Sequence, residues 1–423
     1  MGLIIYRLFL WLYQTGAVLL SPWNKKAARW LNGRKDIFNQ IKASISTNTA
    51  PVIWMHCASL GEFEQGRPLL EYLEKFYPNH KIFLSFFSPS GYEIRKDFNG
   101  ADYVFYLPMD SAANAIQLLD LIKPRLILWV KYEYWYYYLH EIKRRNIPLL
   151  LVSGVFREGQ LFFKNYGSFH RKMLGCFSHL FVQNEEAKKL LGTIGFSENV
   201  TTSGDTRFDR VIDIAENFQA ISIIESFIQG KQVIVAGSTW EEDEEELDHY
   251  ANSHPEIKFI IAPHEIDEEH LLDVEKLFQQ SIRYSKWKEI TINNPNGISK
   301  NVLIIDNIGM LASLYKYATI SYVGGGFGDD GVHNVLEAAV YGKPVIFGPV
   351  YEKFREAGEL EDEGGAYSIE NALELEEVLN KLLVNTLECN NAGTASRNYV
   401  YSNKGATEKI LSFIQENRLL TNW

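Results

Sequence analysis

Short apolar runs recur along the chain, each next to a stretch with helical spacing. The first runs from Val52 to His56; a glycine-containing loop with Pro68 then opens a helical pattern through Leu69, Leu70, Leu73 and Phe76. Runs of the same kind stand at Lys81 to Phe87, Arg125 to Val130, Pro148 to Ser153 and His179 to Val182. A second series follows at Gln232 to Ala236, Lys258 to Ala262, Val302 to Ile305, Thr319 to Val323 and Pro344 to Phe347. Strands that alternate with helices predict parallel sheets, so the chain reads as α/β, with two Rossmann-like doubly wound parallel-sheet domains. Their expected bounds are 46–210 and 231–405, with a helical connector over 211–230 that begins beyond Asp209 and ends by Gly230. A last helix, Thr407 to Glu416 within 406–423, has no strand after it and is expected to pack back across the junction. Two such domains facing a central cleft would line it with the carboxyl ends of their strands, where open α/β sheets bind ligands.

The first 45 residues break this pattern. An apolar stretch from Gly2 to Trp23 precedes a segment rich in cations: Arg7, Lys25, Lys26, Arg29, Arg34, Lys35 and Lys42 stand against one acid, Asp36. The uninterrupted part, from Leu8 to about Trp23, contains Gln14 and Gly16 and falls short of the roughly 20 residues of a comfortable span. Residues 1–45 are therefore expected to lie on a membrane surface bearing anionic headgroups. A helix buried against the N-terminal domain is the alternative, and a span or signal anchor a third reading without a convincing cleavage site.

Composition narrows the class. With 423 residues, 46% hydrophobic and 22% charged, the chain can bury two sizeable cores. A net charge of -11 argues against non-specific nucleic-acid binding. The 3 cysteines, Cys57, Cys176 and Cys389, are far apart and lack paired metal spacing, which suggests neither disulfides nor zinc and fits a reducing, cytoplasmic compartment.

Candidate chemistry lies in strand-to-helix loops. Gly324, Gly325, Gly326, Gly328 and Gly331 lead from the strand ending at Val323 toward a helix that stops near Gly342. Free amides at such a helix start would favour a phosphate near Val332 to Asn334. Asn334 and Glu337, three apart, share a face and could meet sugar and ribose oxygens, or equally form an N-cap with its capping-box partner. Ser238 and Thr239 form a second possible phosphate loop, or a plain cap. The acidic run Glu241 to Glu246 reads as a solvated helix start rather than a metal site. Glu62, in the loop His56 to Glu62, is either a general base for an attacking hydroxyl or a carboxylate favoured by a helix dipole.

Six segments together resemble the 3-deoxy-D-manno-oct-2-ulosonic acid (Kdo) transferases of lipid A biosynthesis, a family with the GT-B fold. They are Trp54 to Glu62, Tyr132 to Trp135, Gly204 to Asp209, Ala236 to Trp240, Gly331 to Glu337 and Gly342 to Pro349, in order and over nearly the whole chain. The resemblance implies an inverting, metal-independent transferase without a cofactor, a CMP-Kdo donor, and a lipid A precursor (lipid IVA) as acceptor at the cytoplasmic face of the inner membrane. By the same resemblance Glu62 is the general base, and Glu133 and Arg207 stabilise the transition state. CMP contacts fall to Pro263, His264, Gly309, Met310, Leu311, Asn334, Val335, Leu336 and Glu337.

The chain departs from the family pattern at several positions. It reads Ala262-Pro-His-Glu265 where Pro-Arg-His is common, so one expected cation is missing beside His264. Lys131 replaces a common acid, Arg207 a common lysine, Met310 a common glutamate and Ala338 a usual proline. A UDP-sugar transferase or epimerase of the same architecture is the nearest rival, and a non-catalytic, membrane-associated nucleotide-binding protein the more distant one.

Overall fold

The structure is a computed structural model that describes residues 2–131, 133–293 and 300–420; Tyr132 of the Tyr132–Trp135 motif and residues 421–423 of the C-terminal segment lie outside the described residues. The chain divides into two compact units, Met1–Arg210 with Lys404–Trp423, and Val211–Asn403.

The first unit is built on seven parallel strands: β1 Val52–Cys57, β2 Lys81–Phe86, β3 Tyr103–Tyr106, β4 Pro124–Val130, β5 Leu149–Gly154, β6 His179–Val182 and β7 Val200–Thr202. Their order is β3-β2-β1-β4-β5-β6-β7. Every residue of β1 is buried, as a strand covered on both faces requires. Its alternate side chains enter two cores: Trp54 packs with Trp129 and Tyr138 on one face, Ile53 and Met55 with Leu69 and Leu73 on the other. The C-terminal helix Ala406–Glu416 adds Ile410, Leu411 and Ile414 to that second core. Asp209 accepts the amides of Gly405 and Thr407, both at 2.6 Å, and so fixes the start of this helix.

The second unit repeats the plan with β8 Val233–Thr239, β9 Lys258–Pro263, β10 Ser281–Arg283, β11 Val302–Ile304, β12 Ile320–Val323, β13 Val345–Phe347 and β14 Ala366–Ser368, all parallel, in the order β10-β11-β9-β8-β12-β13-β14. The strand order reverses between β1 and β4 in the first sheet and between β8 and β12 in the second, where β11 is in addition inserted between β9 and the edge strand β10. Such a reversal opens a crevice beyond the carboxyl ends of the two strands.

The N-terminal segment corrects the sequence reading in three respects. Its first helix takes in Gly2 to Leu20, 19 residues or about 28 Å, and not only the uninterrupted part from Leu8 that fell short of a span. By length and composition it is long and apolar enough to cross a membrane. Nor is it buried against the domain: Leu10 is its one buried residue, and Ile4, Ile5, Leu8, Trp11, Leu12 and Val18 are exposed. It is tied down near its start, where Tyr6 donates to Asp110 at 2.6 Å and Arg7 to the Tyr137 hydroxyl at 2.5 Å. Third, Arg34 does not serve headgroups. Its guanidinium donates to the carbonyls of Phe87, Leu107 and Trp30 and lies against the rings of Trp30, Phe87 and Tyr106.

Candidate active site

In the first unit the candidate residues leave β1, β4 and β7 at their carboxyl ends. Glu62 sits in the first turn of the helix Leu60–Phe76, and Oε2 of its buried carboxylate accepts the Ala58 amide at 2.5 Å. That bond serves the helix start as well as it orients a base, so both readings of Glu62 have a physical footing here.

Glu133 ends a buried relay. Trp54 donates its indole N–H to Ser85 Oγ at 2.8 Å, Ser85 Oγ lies 2.9 Å from His56 Nδ1, and His56 Nε2 lies 3.1 Å from Glu133 Oε2. An indole can only donate and a carboxylate only accept. In a neutral ring the direction is therefore set: Ser85 gives its proton to His56 Nδ1, and His56 gives the Nε2 proton to Glu133. Trp135 adds a second donor to Glu133 Oε2 at 2.9 Å. His56 is fully buried, opposite Ser85 on β2 and Trp129 on β4, so β1 pairing puts it in place.

Arg207 belongs to a cluster of charge. Asp205, at the exit of β7, accepts from Arg207 Nε and backbone N, each at 2.9 Å, and from Gln183 at 2.8 Å. With its amide oxygen turned toward the cations, Gln65 accepts from Lys131 Nζ at 3.0 Å and Arg207 Nε at 3.3 Å. Burial works against ionising Asp205, yet Arg207 and then Lys131 more than offset it and hold the carboxyl below its usual range. Two cations over one carboxylate leave a net positive charge at this strand end, suited to an oxyanion. Gln65 lies three residues beyond Glu62, which links the cluster to the base candidate through one helix.

In the second unit three rings stack where β8, β9 and β12 end. Trp240 and His264 lie 4.5 Å apart between centroids, His264 and His333 4.6 Å, with planes within 24°. Trp240 also donates to His333 Nε2 at 3.0 Å, which leaves the His333 proton on Nδ1. Burial and then His264 beside it hold His333 well below the usual histidine range, at about 4. Pro263 ends β9, and the His264 amide donates to the Thr239 carbonyl at 2.9 Å. Gly309, with φ 98°, turns the chain into Met310 and the short helix Leu311–Leu314, and Leu311 packs where a Cβ at Gly237 would stand. Asn334 donates to Glu337 at 3.1 Å; Val335 and Leu336 are buried beside them.

Three expectations for this half are corrected. The segment after Val323 enters a helix only at Leu336–Ala339, and the amides of Val332 and His333 are already given to the carbonyls of Val350 and Gly324. Thr239 is fully buried, and its hydroxyl donates to Glu244 at 2.8 Å; the N-cap position of the following helix Glu241–Ser253 falls on Trp240, whose amide donates to Asp243, and not on Ser238 or Thr239. Within the acidic run, Asp243 and Glu244 are buried rather than solvated. Asp243 takes the Tyr322 hydroxyl at 2.7 Å and the amides of Gly325 and Trp240 at 2.8 and 2.9 Å. The glycines stand where backbones approach closely: a Cβ on Gly324 would stand 2.7 Å from Thr239 Cα, and one on Gly326 2.7 Å from Gly348 Cα. Asp243 and His56 were legible only as members of a charge run and of a motif; nothing in the sequence marked them as buried. Among the described residues no three His, Cys, Asp or Glu side chains group closely enough to hold a metal ion.

Comparison with known proteins bears on both halves. The model of the family described as 3-Deoxy-D-manno-octulosonic-acid transferase (kdotransferase) matches residues 32–210. The chain is 29% identical over 345 residues to the 3-deoxy-D-manno-octulosonic acid transferase of Aquifex aeolicus, covering 79% of this chain and 87% of that protein. It is 27% identical over 379 residues to a bifunctional glycosyltransferase/methyltransferase of Fusobacterium nucleatum; the match takes in 87% of this chain and 55% of that one, so the chain spans about half of that relative's length. A crystal structure of UDP-GlcNAc 2-epimerase from Neisseria meningitidis bound to UDP-GlcNAc has a TM-score of 0.61 at 17% identity, covering 86% of this chain and 100% of that one. That likeness shows the fold, which is GT-B.

Proposed function

We propose that the chain is a Kdo transferase, like the proteins it matches over most of its length, and that it carries out an inverting, metal-independent transfer of Kdo from CMP-Kdo to a lipid A precursor. The observation that supports this reading is at the first unit's strand ends: Glu62, Glu133 with Lys131, and Arg207 each follow the carboxyl end of a strand of one sheet, β1, β4 and β7.

In the proposed reaction an acceptor hydroxyl oxygen bonds to the anomeric carbon of Kdo as that carbon's bond to the CMP phosphate oxygen breaks. The hydroxyl proton passes to Glu62, and the bonding pair leaves with CMP. Glu133, held by His56 and Trp135, faces the oxocarbenium-like charge of the sugar. Arg207, with Lys131, offsets the negative charge growing on the departing phosphate. In the second unit the nucleotide is taken by His264, Met310 and the Asn334–Glu337 pair, with Glu337 accepting from ribose hydroxyls. The exposed apolar helix Gly2–Leu20 and the cations Lys25, Lys26 and Arg29 hold the enzyme on the cytoplasmic face of the inner membrane, where the acceptor is anchored.

Incubation of the protein with CMP-Kdo and a lipid A precursor, followed by mass spectrometry, tests the reading. The expected product is the acceptor with Kdo added and CMP released in equal amount. Binding of UDP-sugars in place of CMP would sink it.

A further inference from the structure

At the opposite end of the first sheet from Glu62 and Glu133, a groove of about 840 Å³ lies where β1, β2 and β4 begin. Lys42, Lys123, Arg125 and Arg418 line it, and none of the four has an ion-pair partner among the described residues. The one acid on its wall, Asp120, is bound to Arg145 at 2.7 Å. His80 also lines the groove; it is buried, and its Nδ1 has no hydrogen-bond partner among the described residues.

Helix dipoles account for only part of this charge. The helices Ile37–Ile45, Ala112–Ile122 and Ala406–Glu416 all end at the groove, and basic residues at such ends complement the dipole. Each helix end is equivalent to about half a negative charge, so three offset roughly one and a half of the four positive charges. A surplus of more than two remains, in a chain whose net charge is -11. Two arginines and two lysines present donors matched to phosphate oxygens.

We propose that this groove binds a soluble anion that bears a diphosphate. Its occupant is not a substrate of sugar transfer: β1 is six residues long, which puts about 20 Å of strand between the groove and the loop that carries Glu62. Nor is it a membrane headgroup, since the exposed apolar helix is tied through Tyr6 and Arg7 to Asp110 and Tyr137, which follow β3 and β4 at the other end of the sheet. Burial and the charge of Arg125 hold His80 below the usual histidine range, a setting that an arriving anion reverses.

The probe is inorganic pyrophosphate, titrated by calorimetry at low ionic strength into the full chain with CMP present in excess to occupy the nucleotide site. One saturable site is expected, with the ring resonances of His80 moving in ¹H–¹⁵N spectra and those of His333 unmoved. Lys42→Gln with Arg125→Gln should weaken binding at least about tenfold, and Arg418→Gln alone about threefold, with thermal midpoints within a degree or so of wild type. These readouts do not require transfer activity, so they stand or fall apart from the proposed reaction. Absence of a saturable site, equal affinity in the double variant, or a stationary His80 would each overturn the inference. So would loss of binding to phosphatidylglycerol vesicles in the double variant together with no response to pyrophosphate, which would assign the groove to the lipid surface.

Discussion

In both sheets the strand order reverses beside the first strand, β1 or β8, and in both the loops at that reversal carry candidate residues, yet the chemistry gathered there differs. In the first unit it is formal charge: Glu62, Glu133, Asp205, Lys131 and Arg207, with a fully buried histidine between two hydrogen-bond partners. In the second it is neutral rings and spoken-for backbone: Trp240, His264 and His333 stacked, and a glycine-rich loop pinned by Asp243. Shared topology thus fixes where a ligand can go, while the side chains decide whether the place handles protons and charge or holds a planar base and its sugar. The comparison makes distinct demands on variants of each half.

The sharpest demand falls on Glu62. Glu62→Gln keeps an oxygen to accept the Ala58 amide but cannot take a proton, so steady-state kinetics should show kcat lower by about 10²- to 10⁴-fold with CMP affinity and thermal midpoint near wild type. Retention of full activity would remove the base from the charged half. Next comes His56, which acts through Glu133. His56→Ala deletes the donor and should cost about 10²-fold in kcat with KM for CMP-Kdo little changed, while His56→Gln, able to donate from its amide, should recover a large part. Equal loss in both variants would mean that the histidine only fills space.

How far these features could be read from the sequence follows the same physics. Ten strands have apolar runs of their own, and the four that escaped reading, β3, β7, β10 and β14, are the two edges of each sheet. An edge strand of three residues, such as β7, β10 or β14, needs little apolar pattern, because neighbours cover it on one side only; β3, Tyr103–Tyr106, has an apolar run but only four residues of it. Burial of charge was the other blind spot. Glu241 to Glu246 look alike in sequence, but Asp243 and Glu244 turn inward because Tyr322 and Gly325, about 80 residues away, and Thr239 and Trp240, just before the helix, offer them donors. Arg34 vanished from the basic surface for the same reason, three carbonyls and three aromatic faces from separate segments. The six ordered motifs carried Glu62, Glu133, Arg207 and Asn334 to Glu337, whereas the partners of these residues depended on tertiary structure.

Asp243 therefore tests the second half. Asp243→Asn presents an amide N–H₂ to donors and strands at least one buried N–H, at a cost of about 1 to 3 kcal/mol. Chemical denaturation should show a correspondingly less stable second unit, and CMP affinity should fall by roughly tenfold as the Gly324–Gly331 loop loosens. If affinity held while stability fell, the loop would be structural and the nucleotide would depend on the rings alone.

The smallest effect concerns the rings and pH. His333 is held at about 4 when folded, by burial first and His264 second, with Asp330 opposing, against an ordinary value of 6.5. The unfolded chain therefore takes up this proton at a higher pH than the folded one. Its contribution to stability is complete above about pH 6.5 and is lost as pH falls from there toward 4. His264, also lowered by burial, acts with the same sign. Glu244, pushed up by burial, acts with the opposite sign, so wild type must be compared with His333→Gln rather than with itself. Denaturation midpoints between pH 7.5 and 5 should decline more steeply for wild type than for His333→Gln, and CMP affinity should weaken by a few fold at most over that range. Parallel curves would mean that His333 titrates normally, and the second unit would then carry ionisable chemistry of its own, like the first.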